Sequence, residues 1–202
     1  MRSKWVHKMW SLILLLIAGC TSMDEKMDID TLQAFSANGH LHAVIEIPAG
    51  SSSKLEYDPA TGEFPISLRN GKPRTIEFLP YPANYGFIPG TKMNKEEGGD
   101  GDAVDVFVLC GAVPTGSVLE VGPIGIIELI DAGERDDKLV ALPIDPALRT
   151  VDADDISELP EAVRNILVTW LVNYDPEDGA ELVAVKGRTE ALATIKRWQL
   201  HR

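Results

Sequence analysis

Three aspartates, Asp100, Asp102 and Asp105, fall within six residues in the stretch GGDGDAVDVFVL, which then runs straight into apolar, β-forming sequence. Asp and Gly also make ordinary solvated turns, so the triplet alone does not establish chemistry. An EF-hand does not fit: counting from Asp100, the sixth residue is Asp105 rather than glycine and the twelfth is Gly111 rather than glutamate. Clustered carboxylates repel one another, and a hard cation such as Mg2+ relieves that repulsion while demanding several oxygen ligands. One triplet supplies too few. A second acidic loop, DAGERDDK at 131–138, brings Asp131, Glu134, Asp136 and Asp137 between the segments GIIELI and LVALP. The fold can therefore face two acidic loops across one cavity. Strand periodicity adds Lys54 and Glu56, two apart in KLEYD and so on one side of an extended chain, and Glu46, whose neighbours Ile45 and Ile47 point the other way. Each of these charges also suits a solvated face, and Tyr81 and Tyr85 in LPYPANYGFIP also suit a core.

The elements that must position these side chains are short. From His40 onward, LHAVIEIP, KLEYD, EFPISL, TIEFL, DVFVLC, SVLEVGPIGIIELI and KLVALPI alternate with Gly, Pro, Asn and Asp clusters such as DPATG and RNGKP, which predicts strands and hairpins. Helical spacing appears late. Ile156, Leu159, Val163, Ile166, Leu167, Trp170, Leu171 and Tyr174 recur at three- and four-residue steps behind possible caps at Asp154 and Asp155, and a shorter helix is expected after Thr189. Strands first and helices last predict an α+β, β-rich fold, with a small closed or partly closed barrel covered by C-terminal helices.

Residues 1–19 read as a leader: Arg2, Lys4 and Lys8 precede an apolar run from Leu12 to Ala18 that is too short to span roughly 30 Å of hydrocarbon. Ile17-Ala18-Gly19-Cys20 resembles the lipobox of bacterial lipoproteins, which implies a lipid on Cys20, an exported protein anchored to a bacterial membrane, and a mature chain beginning there. Thr21 favours the outer membrane and a periplasmic setting. Residues 20–39 read as a polar tether and 40–202 as the catalytic body. The chain has a formal charge of −12, and losing the leader removes three further positive charges, leaving a strongly acidic protein. Such a charge argues against nucleic acid as a partner and suits one that collects divalent cations. Cys110 would be the sole remaining thiol, so no internal disulfide is expected and the core must carry stability. A Walker loop is missing, and the histidines at 7, 40, 42 and 201 form no zinc-type spacing.

VIEIPAG, KLEY, LPYPANYGFIP, DGDAVDV, DAGERDDKLVALP and VNYD occur in the order and at nearly the spacing of the soluble family I inorganic pyrophosphatases, a resemblance covering roughly residues 42 to 190. The family's signature Asp-x-Asp-Pro-x-Asp is matched in its three acids and departs at Ala103. The resemblance implies a five-stranded barrel of the oligonucleotide-binding type, flanked by C-terminal helices, whose mouth holds several Mg2+ ions and hydrolyses pyrophosphate to two phosphates with metal-activated water. By matching position it makes Asp100, Asp105, Asp131 and Asp136 metal ligands, with Glu46 and Glu56 reaching metals directly or through water. Asp102 matches the general base, and Lys54, Arg74, Lys138 and Tyr174 match groups that hold phosphate oxygens. Tyr81 and Tyr85 match cavity-lining tyrosines. A homo-oligomer, commonly a hexamer in bacteria, is also implied. The family usually has lysine after the tyrosine equated with Tyr174, and this chain has Asp175. That departure motivates an alternative, a cation-binding surface lipoprotein with the same fold and no turnover. A hydrolase of another phosphoanhydride is the second.

Overall fold

The computed structural model describes residues 28–177 and 179–200; the leader and Cys20 lie outside them. In chain order the strands are β1 (Leu41–Ile47), β2 (Leu68–Arg69), β3 (Lys72–Pro73), β4 (Asn84–Phe87), β5 (Asp105–Val108), β6 (Val118–Asp131), β7 (Glu134–Arg135) and β8 (Lys138–Pro143). Helix α1 (Glu161–Leu171), strand β9 (Glu181–Gly187) and helix α2 (Arg188–Trp198) complete the body. Hydrogen bonding runs β1-β4-β5-β8-β6, and β6 returns to pair with β1, so five strands close into a ring. This is the β-rich, oligonucleotide-binding-type architecture with late helices.

The ring strands are buried on both faces, so they read as nearly continuous apolar runs. Along β5, Val106 and Val108 enter one core while Phe107 enters the other; along β8, Leu139 and Ala141 part from Val140 and Leu142 in the same way. Helix α1 seals the first face with Leu167, Trp170 and Leu171, and α2 seals the opposite face with Ala191, Ile195 and Trp198. The long β6 bends at a register shift between Pro123 and Gly125, where proline needs no ladder hydrogen bond. A Cβ on Gly125 would stand 2.6 Å from Ile156 Cβ, so only glycine lets this strand pass so close to its neighbour.

The structure departs from sequence periodicity in three places. The expected helix from Ile156 is broken by Pro160 into a 3-10 turn, Ile156–Glu158, and α1, because proline supplies no N–H and its extended ψ of 136° ends the turn. Asp155 caps the turn through the Ser157 N–H at 3.0 Å, while Ile166 lies exposed rather than on the core stripe. KLEYD, EFPISL and TIEFL form only isolated bridges and the two-residue pair β2–β3, not regular strands. Residues 28–39, grouped by composition with the tether, pack on the body: Ile29 and Ala34 are buried, and the Tyr57 hydroxyl donates to Asp30 at 3.1 Å.

Candidate active site

Parallel pairing of β5 with β8 sets Asp105 opposite Lys138, on the face sealed by α1. The Lys138 ammonium is buried and bridges two carboxylates, donating to Asp105 Oδ2 at 2.6 Å and to Asp136 Oδ1. Burial disfavours its charge, but Asp105 and Asp136 outweigh that cost and raise its pKa above the lysine range. Tyr85, diagonal to Asp105 across the β4–β5 ladder, donates its hydroxyl to the same Oδ2 at 2.5 Å. Alternation explains why Asp136 and Lys138 face the site and Asp137 does not. Asp137 is buried on the other side, where it accepts from Arg135 Nε at 2.5 Å while Arg135 Nη2 reaches Glu128 at 3.0 Å.

The loop before β5 adds Asp100 and Asp102. Gly101 between them has φ +94°, and a Cβ there would lie 2.5 Å from Lys95 Cε, so glycine makes this tight reversal possible. The Asp102 N–H donates to Asp100 Oδ1 at 2.9 Å, and the Asp102 side chain stays exposed. From the other side, the two-residue turn between β6 and β7 presents Asp131. These acids meet in one cavity of about 270 Å³, where Asp100, Asp102, Asp105, Asp131, Glu134 and Asp136 face Lys54, Arg74 and Lys138. Tyr85 and Tyr174 complete its wall. Six carboxylates against three cations leave the pocket strongly negative.

A second cavity of about 350 Å³ continues from the first, sharing Lys54, Tyr85, Asp102 and Asp105, and adds Glu46 and Glu56. Glu46 is the extra residue of a β-bulge, for Ile45 pairs with Gly86 and Ile47 with Tyr85. Simple alternation would put Ile45 and Ile47 on one face; the bulge sends them into opposite cores. Glu46 Oε1 accepts the Tyr57 N–H at 2.7 Å, yet burial pushes its carboxyl up to about 8. Lys54 and Glu56 do share a side, Nζ to Oε1 at 3.6 Å, although their segment is not a regular strand.

Tyr174 packs its ring flat on Trp170, centroids 4.5 Å apart, and Trp170 is pinned by its Nε1–H to Leu79 O at 2.8 Å. Tyr81 is not in the cavity wall. It is buried behind it, 5.3 Å from the Tyr85 ring and 4.6 Å from the Trp170 ring. The wall therefore holds ten of the assigned residues, the adjoining cavity holds Glu46 and Glu56, Tyr81 stands beneath, and Cys20 lies outside the described residues. Glu134 joins the wall unassigned, and Arg69 meets Arg74 in the neighbouring groove rather than in the wall; the Asn70-Gly71 turn, φ 53° and 75°, was the local signal that a hairpin brings these arginines together.

Among the described residues no three His, Cys, Asp or Glu side chains already stand close enough to hold an ion unaided. The donor chemistry nevertheless fits a hard divalent cation: the lining acids offer only oxygen, and Asp100 is driven up to about 7, first by burial and then by Asp136 and Asp105. Positive charge is what this pocket lacks.

The family model described as Inorganic pyrophosphatase matches residues 43–201. The inorganic pyrophosphatase of Sulfolobus acidocaldarius is 36% identical over 165 residues, covering 79% of this chain and 88% of that protein. That of Saccharolobus solfataricus is 35% identical over 156 residues, covering 75% and 83%. The crystal structure of inorganic pyrophosphatase from Thermus thermophilus superposes with a TM-score of 0.72 at 26% identity, covering 84% of this chain and 95% of that one. The Helicobacter pylori enzyme superposes at 0.71 with 29% identity, covering 83% and 96%.

Proposed function

Since the chain belongs to the inorganic pyrophosphatase family, we propose that it hydrolyses pyrophosphate to two phosphates in this cavity with Mg2+ as the bound cation. The observation that carries the reading is a single cavity gathering three cations and six carboxylates, the exposed Asp102 among them. Asp100, Asp105, Asp131 and Asp136 would hold the metal ions, with Glu46 and Glu56 at the adjoining end. Bound there, the ions offset the acids' charge, admit an anionic substrate and lower the pKa of water.

The chain's own groups supply the rest. Asp102 accepts the proton of the attacking water as its oxygen bonds to phosphorus and the bridging P–O bond breaks. Lys54 and Lys138 meet the charge that develops on the departing phosphate, and Arg74 holds a phosphate oxygen in ground and transition states alike. The Tyr174 hydroxyl, kept neutral by burial, is a donor to a phosphate oxygen rather than a base. Phosphate release from pyrophosphate, measured with and without Mg2+, tests this. Cation binding without release would favour the non-catalytic alternative, and faster cleavage of another phosphoanhydride would favour the other hydrolase.

The leader and Cys20 support a further proposal, that the enzyme is exported and lipid-anchored, facing the periplasm from the outer membrane. Among the described residues no helix is long and apolar enough to cross a membrane. Cys20→Ala should then abolish lipid labelling and release the protein from membranes; unlabelled wild type in a bacterium with a working lipoprotein pathway would refute the anchor. A homo-oligomer is supported by exposed Leu182, Val183 and Val185 on the edge strand β9, and light scattering tests it.

A further inference from the structure

Asp175 does not aim its charge into the cavity. Its Oδ2 accepts from Arg74 Nη2 at 2.8 Å and stands 3.0 Å from Arg69 Nη2, and its Oδ1 accepts from Arg69 Nη1 at 3.1 Å. The carboxylate is 15% exposed, largely withdrawn from solvent that would screen it. Arg74 lines the acidic cavity, whereas Arg69 lines only the neighbouring groove that Arg74, Tyr174 and Asp175 share with it. A guanidinium is a planar fork, and fixing one of its edges on a carboxylate fixes where its other N–H groups point. Arg69 shares that carboxylate and also donates from Nη1 to Glu177 Oε2 at 3.2 Å, and Arg74 Nη1 stands 4.0 Å from Glu56, so among the described residues Asp175 is the one acid that ties the two arginines to each other. The residues come from distant parts of the chain, the β2–β3 hairpin region and the segment after α1, and Tyr174 beside Asp175 is itself clamped by Trp170.

We propose that Asp175 is a positioning residue: seated by Arg69, it holds the Arg74 guanidinium toward the cavity for a phosphate oxygen and so sets affinity for pyrophosphate. This rests on reading the cavity as a pyrophosphate site. It reverses the expectation from charge alone, in which Asp175 weakens binding and Asp175→Lys improves it. A lysine there would set a third cation against two arginines.

Steady-state kinetics with pyrophosphate at saturating Mg2+ test the proposal on wild type, Asp175→Ala, Asp175→Asn, Arg74→Ala and the Arg74→Ala/Asp175→Ala double variant. Asp175→Ala should raise KM about tenfold with kcat changed less than about threefold, the pattern of a contact made equally in ground and transition states. Asp175→Asn, which keeps one acceptor and the shape, should fall between and carries the comparison if the alanine variant unfolds. With Arg74 already removed, losing Asp175 should leave KM within about twofold, because the two residues act as a unit. An unchanged or lower KM in Asp175→Ala, or an undiminished rise in the Arg74→Ala background, would overturn the proposal. Wild type that releases no phosphate would overturn the pyrophosphatase reading instead, and imidodiphosphate affinity by calorimetry across the same variants would still decide Asp175. No imidodiphosphate binding to wild type would overturn both.

Discussion

Asp102 differs from its acidic neighbours in being exposed at the junction of the two cavities, while Asp105 and Asp136 are engaged by Lys138. Asparagine there keeps the shape and loses the ability to take a proton, so Asp102→Asn should lower turnover by roughly a hundredfold or more with the fold intact. Near-normal phosphate release from that variant would remove Asp102 from the role of base. Glu46 and Asp100 make a second expectation, about pH. Their carboxyls titrate near 8 and near 7 in the folded protein, against ordinary values of 4.5 and 3.8. Through that window the folded state binds more protons than the unfolded chain, so the metal-free protein loses stability as pH rises from about 4 to about 8. Urea midpoints of chelator-treated protein measured across that range should fall; a rise would mean the burial of these acids is offset elsewhere. Local spacing made Asp100, Asp102, Asp105 and Asp136 legible in the sequence because turns and strand alternation place them. The partners of Asp175 were not legible, since they sit about a hundred residues away and no local period encodes an ion pair between them.

At the scale of elements, the β6–β7 turn carries Asp131 on a two-residue loop, Ala132-Gly133, in which both residues have positive φ, 49° and 86°. That geometry favours Asn-Gly, and a Cβ in the left-handed region costs roughly 1–2 kcal/mol. Ala132→Asn, at an exposed position, should therefore stabilise the protein by about 0.5–1 kcal/mol without disturbing Asp131. A higher urea midpoint with unchanged metal affinity would bear this out, and a lower midpoint would show that the turn is held by something other than its own residues. The ring strands were readable because alternation and apolar runs are local. The segment from Lys54 to Phe78 was not, because Pro65 and Pro73 withhold ladder donors while cross-links such as Lys54 N–H to Arg74 O, 3.1 Å, still hold it in extended form. The bulge at Glu46 escaped for a similar reason: an extra residue is defined by its partner strand, not by its own sequence.

For the whole molecule, a formal charge of −12 concentrated partly in one pocket means that cation binding should act on global stability as well as on chemistry. A ligand that binds only the folded state raises stability with the logarithm of its concentration, and protons compete for the same carboxylates. Mg2+ should thus raise the Tm more at pH 8 than at pH 6 when scanned at equal ionic strength. Equal shifts at both would detach the ion from these acids. The closed ring also divides the described tryptophans, Trp170 into the core behind the cavity and Trp198 into the opposite one, beneath the Arg197 guanidinium at 4.4 Å. Trp170 stacks on a cavity-wall tyrosine and Trp198 touches none of that wall, so the two tryptophans among the described residues are separable reporters. Occupancy of the cavity will be seen in the emission of Trp170, while that of Trp198 keeps time for the unfolding of the far side.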